Sequence, residues 1–146
     1  VLYGWSTGAT MALRTAAHSP VREHISGLVL DSPVLDWRAT LRALAGARHV
    51  PGALLPLAVR AAQGRARLHP ELLAEVADPA TLEFPTLVVH GPDDGIAPWG
   101  PSRELAEKRP DLVSLHVVGG APHAAMWNAD PQGYEEALRR FLVPLM

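Results

Sequence analysis

Four short strand-like runs recur along the chain, and the segments between them carry helical signals. Val1 to Tyr3, Ile25 to Leu30 and Thr86 to His90 are chiefly apolar, the second interrupted by Ser26 and Gly27, and Val113 to Val118 reads as a fourth strand. A continuous apolar run, unlike one that alternates with polar residues, predicts a strand covered on both faces. Gly8 to Ala17 is rich in Ala, Met, Leu and Arg, which favour helix, and Pro20 stops it. Pro101 to Lys108 reads as a short helix with proline at its start. Pro131 to Leu142 sets Tyr134, Ala137, Leu138 and Phe141 on one helical face. Leu41 to Leu73 reads as helical pieces punctuated by Gly46, Pro51, Gly52, Pro56, Gly64 and Pro70. Gly91 to Gly100 and Gly119 to Asn128 read as loops. Strands alternating with helices predict the α/β class, with a parallel sheet of about four strands flanked by helices.

Composition narrows the function more than the fold. The chain has 146 residues, 48% hydrophobic and 19% charged, which suits one folded domain over 1–146 and excludes a disordered chain. A net charge of −2 gives no overall attraction to nucleic acid. Cysteine is absent, so disulfides, thiolate metal sites and a cysteine nucleophile are excluded. No apolar run reaches the roughly 18 residues of a membrane span; Val50 to Val59 is broken by Pro51 and Pro56. No signal peptide opens the chain, so a cytoplasmic location is expected. The sequence begins Val-Leu-Tyr-Gly, without Met and already within a strand. A buried-type strand at a sheet edge leaves hydrogen-bonding groups unpaired. The chain is therefore expected to be the C-terminal part of a longer protein, with the exposed first strand a route to homo-oligomers.

One motif carries chemistry. Gly4-Trp5-Ser6-Thr7-Gly8 matches G-x-S-x-G between a predicted strand and a predicted helix, the context of a nucleophile elbow. A serine on so tight a turn projects its hydroxyl beyond the sheet. Side chains two residues before and after it are expected to collide with neighbouring backbone, so both positions call for glycine. The helix that follows supplies unpaired N–H groups and the positive end of its dipole, which suit an oxyanion. A serine nucleophile needs a base, and the base an orienting acid, both just past the ends of other strands. The third strand runs into His90-Gly91-Pro92-Asp93-Asp94-Gly95-Ile96-Ala97-Pro98, and the fourth into Gly119-Gly120-Ala121-Pro122-His123. Neither stretch holds H-x-x-x-H or H-E-x-x-H, so no metal or cofactor is expected. The G-x-G-x-x-G and Walker patterns are likewise missing.

These stretches, Tyr3 to Gly8, His90 to Pro98 and Gly119 to His123, together resemble the C-terminal half of an α/β-hydrolase. Leu30-Asp-Ser-Pro-Val-Leu-Asp36 is similar to the strand end of Bem46-like and serine-aminopeptidase-like members. The resemblance implies a partly truncated α/β-hydrolase fold with a helical, cap-like insertion at about 38–81. The family pattern H-G-x-x-D-x-x-x-P lays the acid on Asp94, with Asp93 a solvated turn residue and Asp31 a rival acid. It lays the nucleophile on Ser6 and the base on His123. Pro122 stands where the family usually has glycine. His90 reads as a satisfied core histidine. The backbone N–H of Thr7 is the implied oxyanion donor, and the family's second donor comes from a loop that would precede Val1. Trp5 and Trp127 are expected at the substrate. Six arginines and no acids between Arg38 and Arg67 suggest either a solvated helical face or a cap that favours anionic substrates. The function implied is a serine hydrolase of carboxylic esters, thioesters or amides, acting on small molecules through an acyl-enzyme. The rival reading is an inactive or truncated fragment with a structural or binding role.

Overall fold

A computed structural model of the chain describes residues 1–49, 51–54, 56–57, 60–61, 64 and 78–146. Strands β1 (Leu2–Trp5), β2 (Leu28–Asp31), β3 (Thr86–His90) and β4 (Val113–Val117) form one sheet in that order, and every neighbouring pair is parallel. The described helices are α1 (Thr7–His18), α2 (Trp37–Ala47), α3 (Gly100–Lys108), α4 (Met126–Ala129) and α5 (Pro131–Leu142).

Alternation along each strand divides the core in two. Leu28, Leu30 and Val88 face α1 and α3, where they meet Ala9, Leu13, Ala16 and Leu105. Val29, Leu87 and Val89 face the opposite way, against Met126, Tyr134 and Ala137 of α4 and α5. The two central strands, β2 and β3, are therefore buried at every position, which is why Leu28–Leu30 and Leu87–Val89 within them are unbroken apolar stretches. β1 and β4 lie at the edges, and both expose residues.

Some expected boundaries move. The second strand begins at Leu28 rather than Ile25, because Arg22–His24 makes a single helical turn that Ile25 closes. Helix α2 begins at Trp37, where the Asp36 carboxylate accepts the Ala39 N–H at 2.9 Å and caps it. The segment expected as a loop from Gly119 to Asn128 ends in α4, anchored by the fully buried Met126. Of the expected insertion, α2 and the turns Gly52–Leu54 and Pro79–Thr81 are described. Most of its remainder, Arg65 and Arg67 included, lies outside the described residues.

A parallel sheet carries all its strand ends to one rim. Ser6, Ser32, the Gly91–Asp94 turn and the Gly119–His123 loop leave the sheet there, after β1, β2, β3 and β4 in turn.

Candidate active site

Ser6 sits between β1 and α1 with φ 53° and ψ −122°. A non-glycine residue with positive φ costs on the order of 1–3 kcal/mol and persists only where its surroundings impose it. Here the imposition is backbone: the Ser6 N–H donates to the Asp31 carbonyl at 2.9 Å, and the Ser6 carbonyl accepts from Ala9 at 3.1 Å. Close packing does the rest. A Cβ on Gly4 would stand 2.5 Å from the carbonyl carbon and oxygen of Gly8. The expected collision at Gly8 itself is not found, since a Cβ there meets nothing within 4 Å. The glycine requirement falls on one side of the serine, because the approach is of β1 toward the helix start, and Gly8 faces outward.

The His123 ring lies between Ser6 and Asp94. Its Nδ1 is 2.8 Å from Asp94 Oδ2 and 3.0 Å from Oδ1, and its Nε2 is 2.8 Å from Ser6 Oγ. A carboxylate only accepts, so Nδ1–H donates to Asp94. In the neutral ring Nε2 then accepts the Ser6 hydroxyl proton. The Asp94 side chain is fully buried, whereas the His123 side chain keeps 14% of its surface exposed. Burial pushes the Asp94 pKa up. Hydrogen bonds from His90, His123 and the N–H groups of Ile96 and Ala97 outweigh that and bring it down to about 2. Thr7 is the first residue of α1, so its N–H has no carbonyl four residues back within the helix.

The two rival acids have other partners. Asp93 accepts the Gly120 N–H at 2.7 Å and so ties the β3 turn to the loop that bears His123. Asp31 is buried but turns away from the imidazole. Its Oδ1 accepts the Ser32 hydroxyl at 2.7 Å, and its Oδ2 accepts the Tyr134 hydroxyl at 2.7 Å. With the Tyr134 proton so committed, Tyr3 donates to the Tyr134 oxygen at 2.6 Å. Burial, with the carboxylate beside it, pushes the Tyr134 phenol well above its ordinary value. Ser32 Oγ also accepts the N–H of Ala124, the residue after His123, at 3.1 Å. Both Ser32 (φ 47°) and Ala124 (φ 55°) are held in the left-handed region. Sequence reasoning passed over Ser32; only its place beside a strand-end aspartate could have marked it.

Trp5 and Trp127 come together, in a cavity of about 370 Å³ on the α5 side that Tyr3, Asp31, Ala124 and Tyr134 also line. Ser6, Asp94 and His123 do not line it. Among the described residues, no three His, Asp or Glu side chains group as metal ligands do, and no helix is long and apolar enough to cross a membrane.

No family model and no curated protein matches the chain. Solved structures match its shape. The Pyrococcus furiosus esterase Pf2001 superposes with a TM-score of 0.67 at 21% identity, over 96% of this chain and 51% of the esterase. A monoacylglycerol lipase from Paleococcus ferrophilus gives a TM-score of 0.59 at 20% identity, over 99% and 67% of the two chains. The acylaminoacyl peptidase of Pyrococcus horikoshii gives 0.63 at 15% identity, over 96% and 22%. The chain thus spans about half the length of the esterase it resembles. Likeness at these identities establishes a fold: four parallel strands flanked by helices, the layout of a truncated α/β-hydrolase.

Proposed function

We propose that this chain carries the catalytic residues of a serine hydrolase acting on carboxylic esters, thioesters or amides. One observation carries the reading: Ser6, His123 and Asp94, which come from three strand ends, join through two hydrogen bonds of 2.8 Å. Esterase, lipase and peptidase names among the similar structures support the same chemistry.

In this reading His123 Nε2 takes the Ser6 proton as Oγ bonds to the substrate carbonyl carbon. The carbonyl oxygen becomes an oxyanion and accepts the Thr7 N–H, helped by the positive end of α1. The imidazolium returns its proton to the leaving alcohol, thiol or amine as the bond to carbon breaks, which leaves an acyl group on Oγ. Water then follows the same path: His123 takes its proton, its oxygen attacks the acyl carbon, and Ser6 departs reprotonated. Asp94 stays ionised throughout, fixing the Nδ1–H tautomer and stabilising the imidazolium. Trp5 and Trp127 would border the substrate; Ala124 in the wall of their cavity is one residue from the imidazole.

The test is turnover of p-nitrophenyl esters of increasing acyl length by the parent, Ser6→Ala and His123→Ala. Hydrolysis by the parent and a loss of ~10³-fold or more in both variants supports the reading. Equal rates in all three would reduce the chain to a fold without the reaction.

A further inference from the structure

His90, the last residue of β3, is completely buried, yet both its ring nitrogens are engaged. Nε2 lies 3.0 Å from Asp94 Oδ2 and 3.1 Å from the Ala97 carbonyl oxygen. Nδ1 lies 2.8 Å from Ser102 Oγ, on α3. The Asp94 carboxylate and the Ala97 carbonyl only accept, so Nε2 carries a hydrogen. The neutral ring then has one tautomer available, with Nδ1 accepting the Ser102 hydroxyl. The hydrogen-bonded series therefore runs Ser102–His90–Asp94–His123–Ser6, and Asp94 Oδ2 is shared by two imidazoles.

A buried imidazole and hydroxyl are costly to desolvate, and an apolar pair would pack between β3 and α3 without that cost. What the polar pair adds is orientation. Asp94 Oδ1 accepts two backbone N–H groups, from Ile96 and Ala97, each at 2.9 Å. With Oδ2 held by His90, the carboxylate cannot rotate away from His123 without breaking bonds on both oxygens.

Building on the serine-hydrolase reading, we propose that His90 is a positioning residue, which Ser102 anchors on α3 so that it holds Asp94 aimed at His123. Among the hydrogen bonds that lower the Asp94 pKa, the His90 bond contributes most, ahead of His123 itself. The other groups around the carboxylate do not compete for this role. Asp93, next in the chain, turns to the Gly120 N–H. His123 from the β4 loop is the other titratable group that bonds Asp94.

The test reads the Asp94 carboxyl by carbon-13 NMR as pH is lowered, the resonance being assigned by its loss in Asp94→Asn. In His90→Leu the midpoint should rise by about one pH unit, the scale set by losing one hydrogen bond to a charged group. Ester turnover should fall about tenfold in kcat with KM retained, since substrate contacts are untouched. His90→Gln, whose amide N–H can stand near the Nε2 position, should restore both quantities toward the parent. Ser102→Ala should move the midpoint the same way by less, and it keeps the idea testable if His90→Leu does not fold. An Asp94 midpoint unmoved by Ser102→Ala or His90→Leu overturns the proposal, as does a glutamine variant no better than leucine. The NMR arm needs no turnover, so inactivity toward esters would count against the serine-hydrolase reading and leave this one standing.

Discussion

Adding one methyl group on either side of Ser6 should have opposite consequences, although G-x-S-x-G treats its two glycines alike. In Gly4→Ala the new Cβ stands 2.5 Å from the Gly8 carbonyl and 2.7 Å from the Ala9 nitrogen. Non-bonded carbons rest at ~3.5–4.0 Å, so the start of α1 must retreat by about 1 Å. Those neighbours are backbone and cannot turn aside as a side chain would. Overpacking of this kind costs about 1–3 kcal/mol, here at the upper end. In the serine-hydrolase reading, a displacement of that size at Ser6 costs about 10²-fold in rate. In Gly8→Ala the Cβ meets nothing within 4 Å, on an exposed position inside α1. Alanine is the better helix former by about 0.5–1 kcal/mol, so this variant should be as stable as the parent or slightly more so. Thermal unfolding should show a loss of about 6–10 °C for Gly4→Ala and none for Gly8→Ala. Burst-phase acylation by an activated ester should fall about 10²-fold only in the first. Equal damage from both substitutions would refute the one-sided account of the turn.

Other perturbations separate the two carboxylate networks. Asp94 has its folded-state pKa lowered from 3.8 to about 2, so its contribution to stability is complete above about pH 4 and drains away as pH falls toward 2. Urea midpoints measured against pH should fall in that window for the parent and more shallowly for Asp94→Asn. Ser32→Ala removes a donor to Asp31 and the acceptor of the Ala124 N–H. It should cost about 1–3 kcal/mol in chemical denaturation, and slow acylation more than its loss of folded population explains. Tyr134→Phe deprives buried Asp31 of a donor and Tyr3 of its acceptor, and should cost about 1–3 kcal/mol. Tyr3→Phe should cost less, because Tyr3 is 42% exposed.

The sheet was legible because burial leaves a direct mark on residue choice. Leu28-Val29-Leu30 and Leu87-Val88-Val89 read as strands covered on both faces, and both faces are covered. The order Ser6, Asp94, His123 marked which loops to compare, because parallel strands bring their ends to one rim. Packing asymmetries were not legible. Nothing in the spacing of Gly4 and Gly8 tells which of them β1 presses on, since that depends on the path of the backbone after the turn. His90 could be read as a core histidine with satisfied nitrogens. Its partners could not be read, because Ser102 lies on α3 and meets the ring only after the chain turns back. Asp31 looked like a rival acid for the same reason: its position at a strand end was visible, whereas the turn of its carboxylate toward Tyr134 depends on α5 crossing that face. Helix α4 was missed because four residues are too few for a periodic pattern.

Covalent labelling by a fluorophosphonate, with the modified residue located by mass spectrometry, measures nucleophilicity at Ser6 directly. The adduct should form on Ser6 in the parent, disappear in Ser6→Ala, and form at least ~10²-fold more slowly in His123→Ala, where the hydroxyl remains without its base. An adduct on another residue, or labelling of Ser6 at the parent rate without His123, would contradict proton transfer between these two side chains.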